Sequence, residues 1–151
     1  MKEEVLLTRT EVAGKIIERL IGEAAVSIDA ALYRLNNPGL VAALDAAVHR
    51  GVKVRVVLDR NKYDESRSTR ELLAGHRIPF RLSYGRRGPG SKMHHKFAVL
   101  DDRLALTGSY NWTLESEEQN YENLLILDAP HFLEVYRQEF EALWKEADGS
   151  Q

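Results

Sequence analysis

The first 84 residues alternate between helix-like and strand-like segments, and this alternation limits the possible folds more than any other feature. After Thr10, a plausible N-cap, "EVAGKIIERLIG" has helical spacing, whereas "VKVRVVLD" alternates apolar and charged residues as a strand does. "AVSIDAALYRL" predicts another strand, and "NNPG" separates it from a helix expected between Pro38 and Gly51. A short helix, "STRELLAGH", then leads to strand "IPFRLSY". Because such an order needs crossover connections, it predicts largely parallel strand pairing.

The second half of the chain adds a hairpin, so the predicted sheet is mixed. "GRRGPGSK" is too rich in glycine and proline for regular structure and is expected to form a basic loop. "MHHKFAVL" and "RLALTGSYNW" flank Asp101-Asp102 as the two strands of a hairpin do. A strand, "YENLLILDA", and an amphipathic helix beginning at Pro130 follow. We therefore predict one α/β domain over residues 1–151, with a mixed, largely parallel β-sheet flanked by helices on both faces.

Composition indicates a globular protein without a membrane anchor. Of the 151 residues 44% are hydrophobic and 29% charged, and no apolar run reaches the roughly 18 residues of a membrane span. The absence of cysteine excludes disulfides and thiolate chemistry. We expect a cytoplasmic location, or a periplasmic or secreted one if a signal peptide has been removed.

Charge is distributed unevenly along the chain. The net charge of −2 argues against a general nucleic-acid binder. Between Leu72 and Leu100, however, there is no Asp or Glu, whereas six basic residues fall there. A locally basic surface is therefore expected on a nearly neutral protein, and its candidate nucleic-acid contacts are Arg86, Arg87 and Lys92.

Polar residues gather on one predicted face of the hairpin. A two-residue turn at Asp101-Asp102 places Lys96 opposite Thr107 and His94 opposite Ser109. The face so formed carries an imidazole, an ammonium, hydroxyls and an amide: His94, Lys96, Thr107, Ser109 and Asn111. The other face carries apolar residues expected in the core: Phe97, Val99, Leu104 and Leu106.

This polar face has the groups that a phosphate diester requires. An ammonium and neutral donors can bind its oxygens, and an imidazole can act as nucleophile, acid or base near neutral pH. Glu122, in the next predicted strand, could accept the Nδ1 proton of His94 and orient the ring. No carboxylate cluster suggests a divalent cation, and adjacent His94 and His95 point to opposite sides, so no metal or cofactor is expected.

Each of these residues also has a simpler structural explanation. Asp101 can cap the hairpin turn, and Lys96 can be a surface lysine. The remaining histidines are expected to be structural: His49, His76, His95 and His131. The combination of residue types at this spacing, rather than any single residue, favours a site.

The spacing His94-x-Lys96-x4-Asp101, followed by "TGSYNWT" and "NYEN", resembles the HKD signature of the phospholipase D superfamily. "VSIDAALYRLNNPGLVAALDAAVHRGVKVRVVLD" is similar to that family's N-terminal half, so the resemblance covers nearly the whole chain. It is strongest to small single-motif members, which include a bacterial endonuclease and a mitochondrial cardiolipin hydrolase. Unlike the mitochondrial type, this protein is not expected to have a membrane-anchoring N-terminus, and its sequence lacks a cysteine-bearing zinc insertion.

The resemblance implies roles for individual residues. It implies His94 as nucleophile or general acid and Asp101 as the structural acid of the motif. The implied catalytic set is His94, Lys96, Asp101 and Glu122. The implied phosphate-binding set is Lys96, Ser109 and Asn111.

The resemblance also implies a two-step reaction through a phosphohistidine, which needs two histidines in opposite protonation states. With one HKD block per chain, a homodimer sharing one site is expected. We predict a metal-independent phosphodiesterase, an endonuclease acting on DNA or RNA. The alternatives are a phospholipase D or cardiolipin hydrolase with the same site, or a nucleic-acid-binding module without catalysis.

Overall fold

The computed structural model describes residues 2–147, in which seven strands and six helices follow one another. The strands are β1 (Glu3–Leu7), β2 (Ser27–Leu32), β3 (Lys53–Asp59), β4 (Phe80–Ser83), β5 (Lys96–Leu100), β6 (Leu104–Gly108) and β7 (Asn123–Leu127). The helices are α1 (Ala13–Glu23), α2 (Pro38–His49), α3 (Arg60–Glu65), α4 (Arg67–Ala74), α5 (Leu114–Glu118) and α6 (Pro130–Glu146). None of these helices is both long and apolar enough to cross a membrane.

The strands form one sheet in the order β1-β7-β6-β5-β2-β3-β4. Only the β2–β3 and β3–β4 pairs are parallel, and the other four pairs in the described residues are antiparallel. The mixed α/β architecture is confirmed, but the expectation of a largely parallel sheet was wrong. Helical crossovers predict the pairing of β2, β3 and β4 alone, whereas the position of the β5–β6 hairpin beside β2 depends on packing.

The N-terminal segment differs from its prediction. β1 was not predicted, because a five-residue segment beginning with two glutamates carries little strand signal; it pairs with β7 at the edge of the sheet. α1 begins at Ala13 after Val12, which forms no side-chain cap, so the predicted cap at Thr10 was wrong. The Thr10 amide instead donates to the Leu7 carbonyl in the turn that follows β1.

The turn between β5 and β6 is one residue longer than predicted. Leu100 pairs with Leu104, which leaves three residues in the connection. Asp101 and Asp102 have φ values of 55° and 54°, the left-handed conformation that aspartate tolerates in hairpin turns. A change of one residue in register moves every side chain of the strand to the opposite face.

The shifted register corrects the predicted faces of β6. Phe97 pairs with Thr107, so Thr107 lies on the face covered by α6, where its hydroxyl accepts a hydrogen bond of 3.2 Å from the Tyr136 hydroxyl. The prediction that Thr107 shares a face with His94 was wrong. Leu104 and Leu106, which were predicted on the same face as Phe97, instead lie on the opposite face and pack in the larger hydrophobic cluster.

Both faces of the sheet are covered by helices. On one face Ile17 of α1 and Leu40 of α2 are fully buried in the larger hydrophobic cluster. On the other, Phe140 of α6 is fully buried against the cluster that contains Phe97. Burial of one such side chain contributes about 1.5–3 kcal/mol. The helices leave the ends of the strands uncovered, and polar residues can gather there.

Candidate active site

The predicted site residues meet at one end of the sheet rather than on a strand face. β5 runs antiparallel to β2, so the start of β5 lies beside the end of β2, and β6 ends and β7 begins at the same level. His94 lies just before β5, Ser109 just after β6, and Glu122 just before β7. The topology thus brings together residues that are up to 28 positions apart in the sequence.

His94 is exposed and surrounded by positive charge. Its Nδ1 lies 3.4 Å from the Lys96 Nζ, which donates a 2.8 Å hydrogen bond to the His94 carbonyl oxygen. The Tyr33 ring packs beside the imidazole at a centroid distance of 4.5 Å. Burial against these neighbours, then the charges of Lys96 and Lys92, lower the pKa of His94 below its ordinary value of 6.5. At pH 7 the imidazole is therefore mainly neutral, the form that a nucleophile requires.

Lys96 is partly buried at the start of β5. Desolvation lowers the pKa of its ammonium, and the carboxylate of Glu122 acts in the opposite direction. Its Nζ lies 5.2 Å from the centroid of the Tyr33 ring, within range of a cation–π interaction. The ammonium is thus held next to the imidazole by aromatic and backbone contacts.

Asp59, which sequence reasoning missed, holds the backbone before His94. Its carboxylate is buried, accepting a 2.9 Å hydrogen bond from the Met93 amide and a 3.0 Å hydrogen bond from the Lys62 amide. It therefore caps α3 and anchors the segment entering β5. An aspartate between a strand and a helix, as in "VVLDRNK", was the available signal.

Glu122 is the centre of a hydrogen-bond network. Its carboxylate accepts from the Ser109 hydroxyl (2.6 Å), the Ser116 hydroxyl (2.9 Å) and the Asn120 amide (3.1 Å). The predicted hydrogen bond from His94 Nδ1 to Glu122 is not formed within the described chain. Because the Ser109 hydroxyl donates its proton to the Glu122 carboxylate, it is not available in this arrangement to donate a hydrogen bond to a ligand.

Gly108 allows β6 to end close to β7. Its φ of 149° disfavours other residues, and an added Cβ would collide with the Asn123 carbonyl oxygen. The Ser109 amide donates to that carbonyl at 3.1 Å, and the Ser109 hydroxyl accepts from the Asn123 amide at 3.0 Å. The glycine of "TGSYNWT" thus places Ser109 between the two strands.

Asn111 has an unsatisfied side-chain atom. Its backbone amide donates to the Ser116 hydroxyl at 3.2 Å, whereas its side-chain Oδ1 is buried and has no hydrogen-bond partner in the described structure. Buried polar atoms without partners are rare and costly in folded proteins. A hydrogen-bond donor of a ligand or of a second chain that reached this oxygen would remove the cost.

Asp101 follows the far end of β5, a five-residue strand about 17 Å long whose near end lies just after His94. Its carboxylate accepts hydrogen bonds from the amides of Ala25 (3.0 Å), Val26 (2.7 Å) and Ser27 (3.0 Å). Although desolvation raises the pKa of Asp101, these three donors outweigh it and lower the pKa overall. The structure therefore does not bring Asp101 to the other predicted catalytic residues; it ties the hairpin turn to β2.

We expect Asp101→Gly to unfold more easily than Asp102→Gly, by about 1–3 kcal/mol, because only the first loses hydrogen bonds to a charged group. Both residues have the same left-handed backbone, so glycine is equally suited to each position. Urea unfolding at pH 7 measures the difference. The difference in unfolding free energy between the two variants should be fully present at pH values above the ordinary aspartate pKa of 3.8. It should decline as the pH falls through the lower pKa that Asp101 has in the folded state. Equal stabilities of the two variants would contradict the anchoring role.

The basic loop borders a groove beside His94. A groove of about 730 Å³ is lined by Arg86, Lys92, His94 and His95 on one side and by α6 on the other. Arg87 is exposed but does not line it. His95 Nε2 lies 2.8 Å from the Glu139 carboxylate, a pairing consistent with the structural role predicted for it.

Two of the other histidines predicted to be structural also have partners. His49 and His76 both approach Asp45, with Nδ1 to carboxylate distances of 3.6 Å and 3.3 Å. Among residues 2–147, no three His, Cys, Asp or Glu side chains are grouped as metal ligands would be.

Comparison with known proteins gives consistent matches over almost the whole chain. The family model described as "Cardiolipin synthase, PLD-like domain" matches residues 17–144. The mitochondrial cardiolipin hydrolase of Xenopus tropicalis is 35% identical over 142 residues, covering 94% of this chain and 66% of that protein. The human protein of the same name is 36% identical over 128 residues, covering 85% of this chain and 49% of its own. The chain therefore spans between half and two thirds of these relatives' lengths.

Two solved structures match over nearly the full length of both chains. Nuc from Salmonella typhimurium, described as a phospholipase D family member, aligns with a TM-score of 0.87 at 25% identity, covering 99% of this chain and 98% of that one. NucT from Helicobacter pylori aligns with a TM-score of 0.88 at 22% identity, covering 99% of each chain, and supports the fold.

Proposed function

Because the chain belongs to the phospholipase D superfamily, as a member with a single HKD motif, we propose that it is a metal-independent phosphodiesterase, an endonuclease that hydrolyses DNA or RNA. The observation that carries this proposal is the placement of the His94 imidazole beside the Lys96 ammonium at the open end of the sheet, where the lowered pKa of His94 favours its neutral form. These are the nucleophile and the oxyanion donor that attack on a phosphodiester needs.

In the proposed reaction the Lys96 ammonium moves from His94 Nδ1 to a non-bridging oxygen, so that Nδ1 carries the imidazole proton and Nε2 has its lone pair free. Nε2 then attacks phosphorus and forms a P–N bond as the P–O bond to the leaving group breaks. A second, protonated histidine gives its proton to the leaving oxygen and thereby becomes a base. Water, deprotonated by that base, then displaces His94 from phosphorus and releases the phosphate product. Lys96 and Asn111 bind the non-bridging oxygens, and the Ser109–Glu122 pair supports this cluster.

The second histidine comes from an identical chain in this proposal. The described chain brings no other histidine to His94 except its neighbour His95, which is paired with Glu139. An exposed apolar strip at the edge of the sheet supports a self-association surface: Val5 (61% exposed) and Leu7 (50% exposed) lie on β1, and Leu7 pairs with Asn123 beside the site. We propose a homodimer with one shared site.

Nucleic acid is favoured as substrate by the charge around His94. Arg86 and Lys92 line the adjacent groove, and we propose that they contact the phosphate backbone together with Arg87. A second candidate function, cardiolipin hydrolysis, is favoured by the similarity to proteins of that name. The chemistry at phosphorus is the same for both substrates.

Cleavage of nucleic acid is expected to proceed in excess EDTA within about twofold of the untreated rate, because the proposed site uses imidazole and ammonium rather than metal-bound water. The measurement compares labelled single-stranded DNA, duplex DNA, RNA and cardiolipin vesicles, each with EDTA or Mg²⁺. Activity lost in EDTA and restored by Mg²⁺ would refute the proposed chemistry. Cleavage of the vesicles alone would establish the lipid alternative, and binding without cleavage would indicate a non-catalytic module.

A further inference from the structure

A second cleft, of about 320 Å³, opens on the far side of the residues that hold His94 in place. The sequence provided no indication of it. Its wall includes Tyr33 from the end of β2, Asp59 from the end of β3, and residues of α3 and α4. His94 is absent from its lining, so the cleft is distinct from the groove beside the basic loop.

Tyr33 and Asp59 connect this cleft to the catalytic groups. The ring of Tyr33 packs against the His94 imidazole and also lines the cleft. Asp59 accepts from the amide preceding His94 and from the amide of Lys62 in α3. A group bound in the cleft would therefore be adjacent to a phosphate held by His94.

The cleft also supplies a second ammonium. The Lys62 Nζ lies 5.7 Å from the Tyr33 centroid, and the Lys96 Nζ lies 5.2 Å from the same centroid. The two ammonium groups are thus within about 11 Å of each other, a span that neighbouring phosphates of one strand can bridge. The Lys62 ammonium donates a 3.1 Å hydrogen bond to the Glu65 carboxylate, and this contact raises the pKa of the lysine.

The rest of the lining combines the side chains of Leu35, Leu58 and Tyr63 with polar groups that include both donors and acceptors. It includes the ion pair of Arg34 with Glu115 (3.3 Å), the Asn36 amide and the Ser68 hydroxyl. A cleft at the small end of the ligand-pocket range with such a lining suits a base or sugar and disfavours an acyl chain. We propose that this cleft binds the nucleotide next to the scissile phosphate and that Lys62 contacts that nucleotide's phosphate, an inference that rests on the proposed nuclease function.

Two variants test this subsite, each with a matched control. Lys62→Gln removes the ammonium; Lys15→Gln is its control, since Lys15 is also a helical lysine paired with a glutamate three residues later but lies outside the cleft. Ser68→Trp fills the cleft; Arg67→Trp is its control, since Arg67 is the preceding helical residue and lies outside the lining. For each chain, kcat/KM is measured on a single-stranded oligonucleotide and on bis(p-nitrophenyl) phosphate, which has no flanking nucleotide.

The quantity compared is kcat/KM on the oligonucleotide divided by kcat/KM on bis(p-nitrophenyl) phosphate. For Lys62→Gln and Ser68→Trp this ratio is expected to fall about tenfold, because loss of one charged contact raises the KM for the oligonucleotide. Both controls should keep the wild-type ratio. A ratio unchanged in Lys62→Gln and Ser68→Trp would overturn the subsite alone. A wild-type protein that cleaves cardiolipin vesicles but no oligonucleotide would overturn the proposed function, and the subsite with it.

Discussion

Replacement of His94 by alanine is expected to lower kcat on any diester substrate by at least about 10⁴-fold, because it removes both the nucleophile and the proton donor of the proposed shared site. His95→Ala is the matched control: the adjacent imidazole is similarly exposed and borders the same groove, but it pairs with Glu139 on α6 and is not one of the proposed reacting groups. That variant should retain wild-type kcat within about threefold, a loss of the size expected for a surface ion pair. Initial rates on a labelled oligonucleotide and on bis(p-nitrophenyl) phosphate measure both effects.

The His94 result is informative only if the variant folds. His94 is exposed and outside the hydrophobic clusters, so its truncation should change the free energy of unfolding by no more than about 0.5 kcal/mol. A folded His94→Ala protein with more than about one hundredth of wild-type kcat would refute covalent catalysis by this residue, since general acid–base help alone exceeds that factor.

Mixing wild-type chains with inactive His94→Ala chains is expected to suppress wild-type activity. If each site uses one histidine from each protomer, a heterodimer retains a single histidine and cannot complete a turnover. At a ninefold excess of variant chains, random exchange leaves about one tenth of the wild-type chains in fully wild-type dimers. Activity per wild-type chain should fall to that fraction once subunits have exchanged.

The mixing experiment needs two controls. Light scattering establishes whether the chain is dimeric, and mixing with excess His95→Ala chains corrects for any effect of total protein concentration. Suppression specific to His94→Ala would support a shared site. A fully active monomer, or wild-type activity unchanged by exchange with His94→Ala, would show that each chain works alone.

The principal elements and the chemistry of the site could be predicted from local patterns. Valines alternating with charged residues predicted β3, and "NNPG" predicted the start of α2 at Pro38, where the Asn37 side chain accepts from the Gly39 amide. The close spacing of His94 and Lys96 placed an imidazole beside an ammonium without reference to the rest of the fold, and the structure shows them 3.4 Å apart. Such features depend on residues only a few positions apart, so the sequence alone determined them.

Features that depend on contacts between distant segments were decided only by the tertiary structure. One added residue in the β5–β6 turn reversed the faces of β6 and moved Thr107 away from the site. The amides at the start of β2 bound the carboxylate of Asp101 at the far end of β5, and the Asp59 carboxylate held the segment before His94. The cleft behind Tyr33 combines β2, β3, α3 and α4, whose proximity follows from parallel pairing and helix packing rather than from any short motif. Local sequence specifies which groups are available, whereas register and packing specify which of them meet.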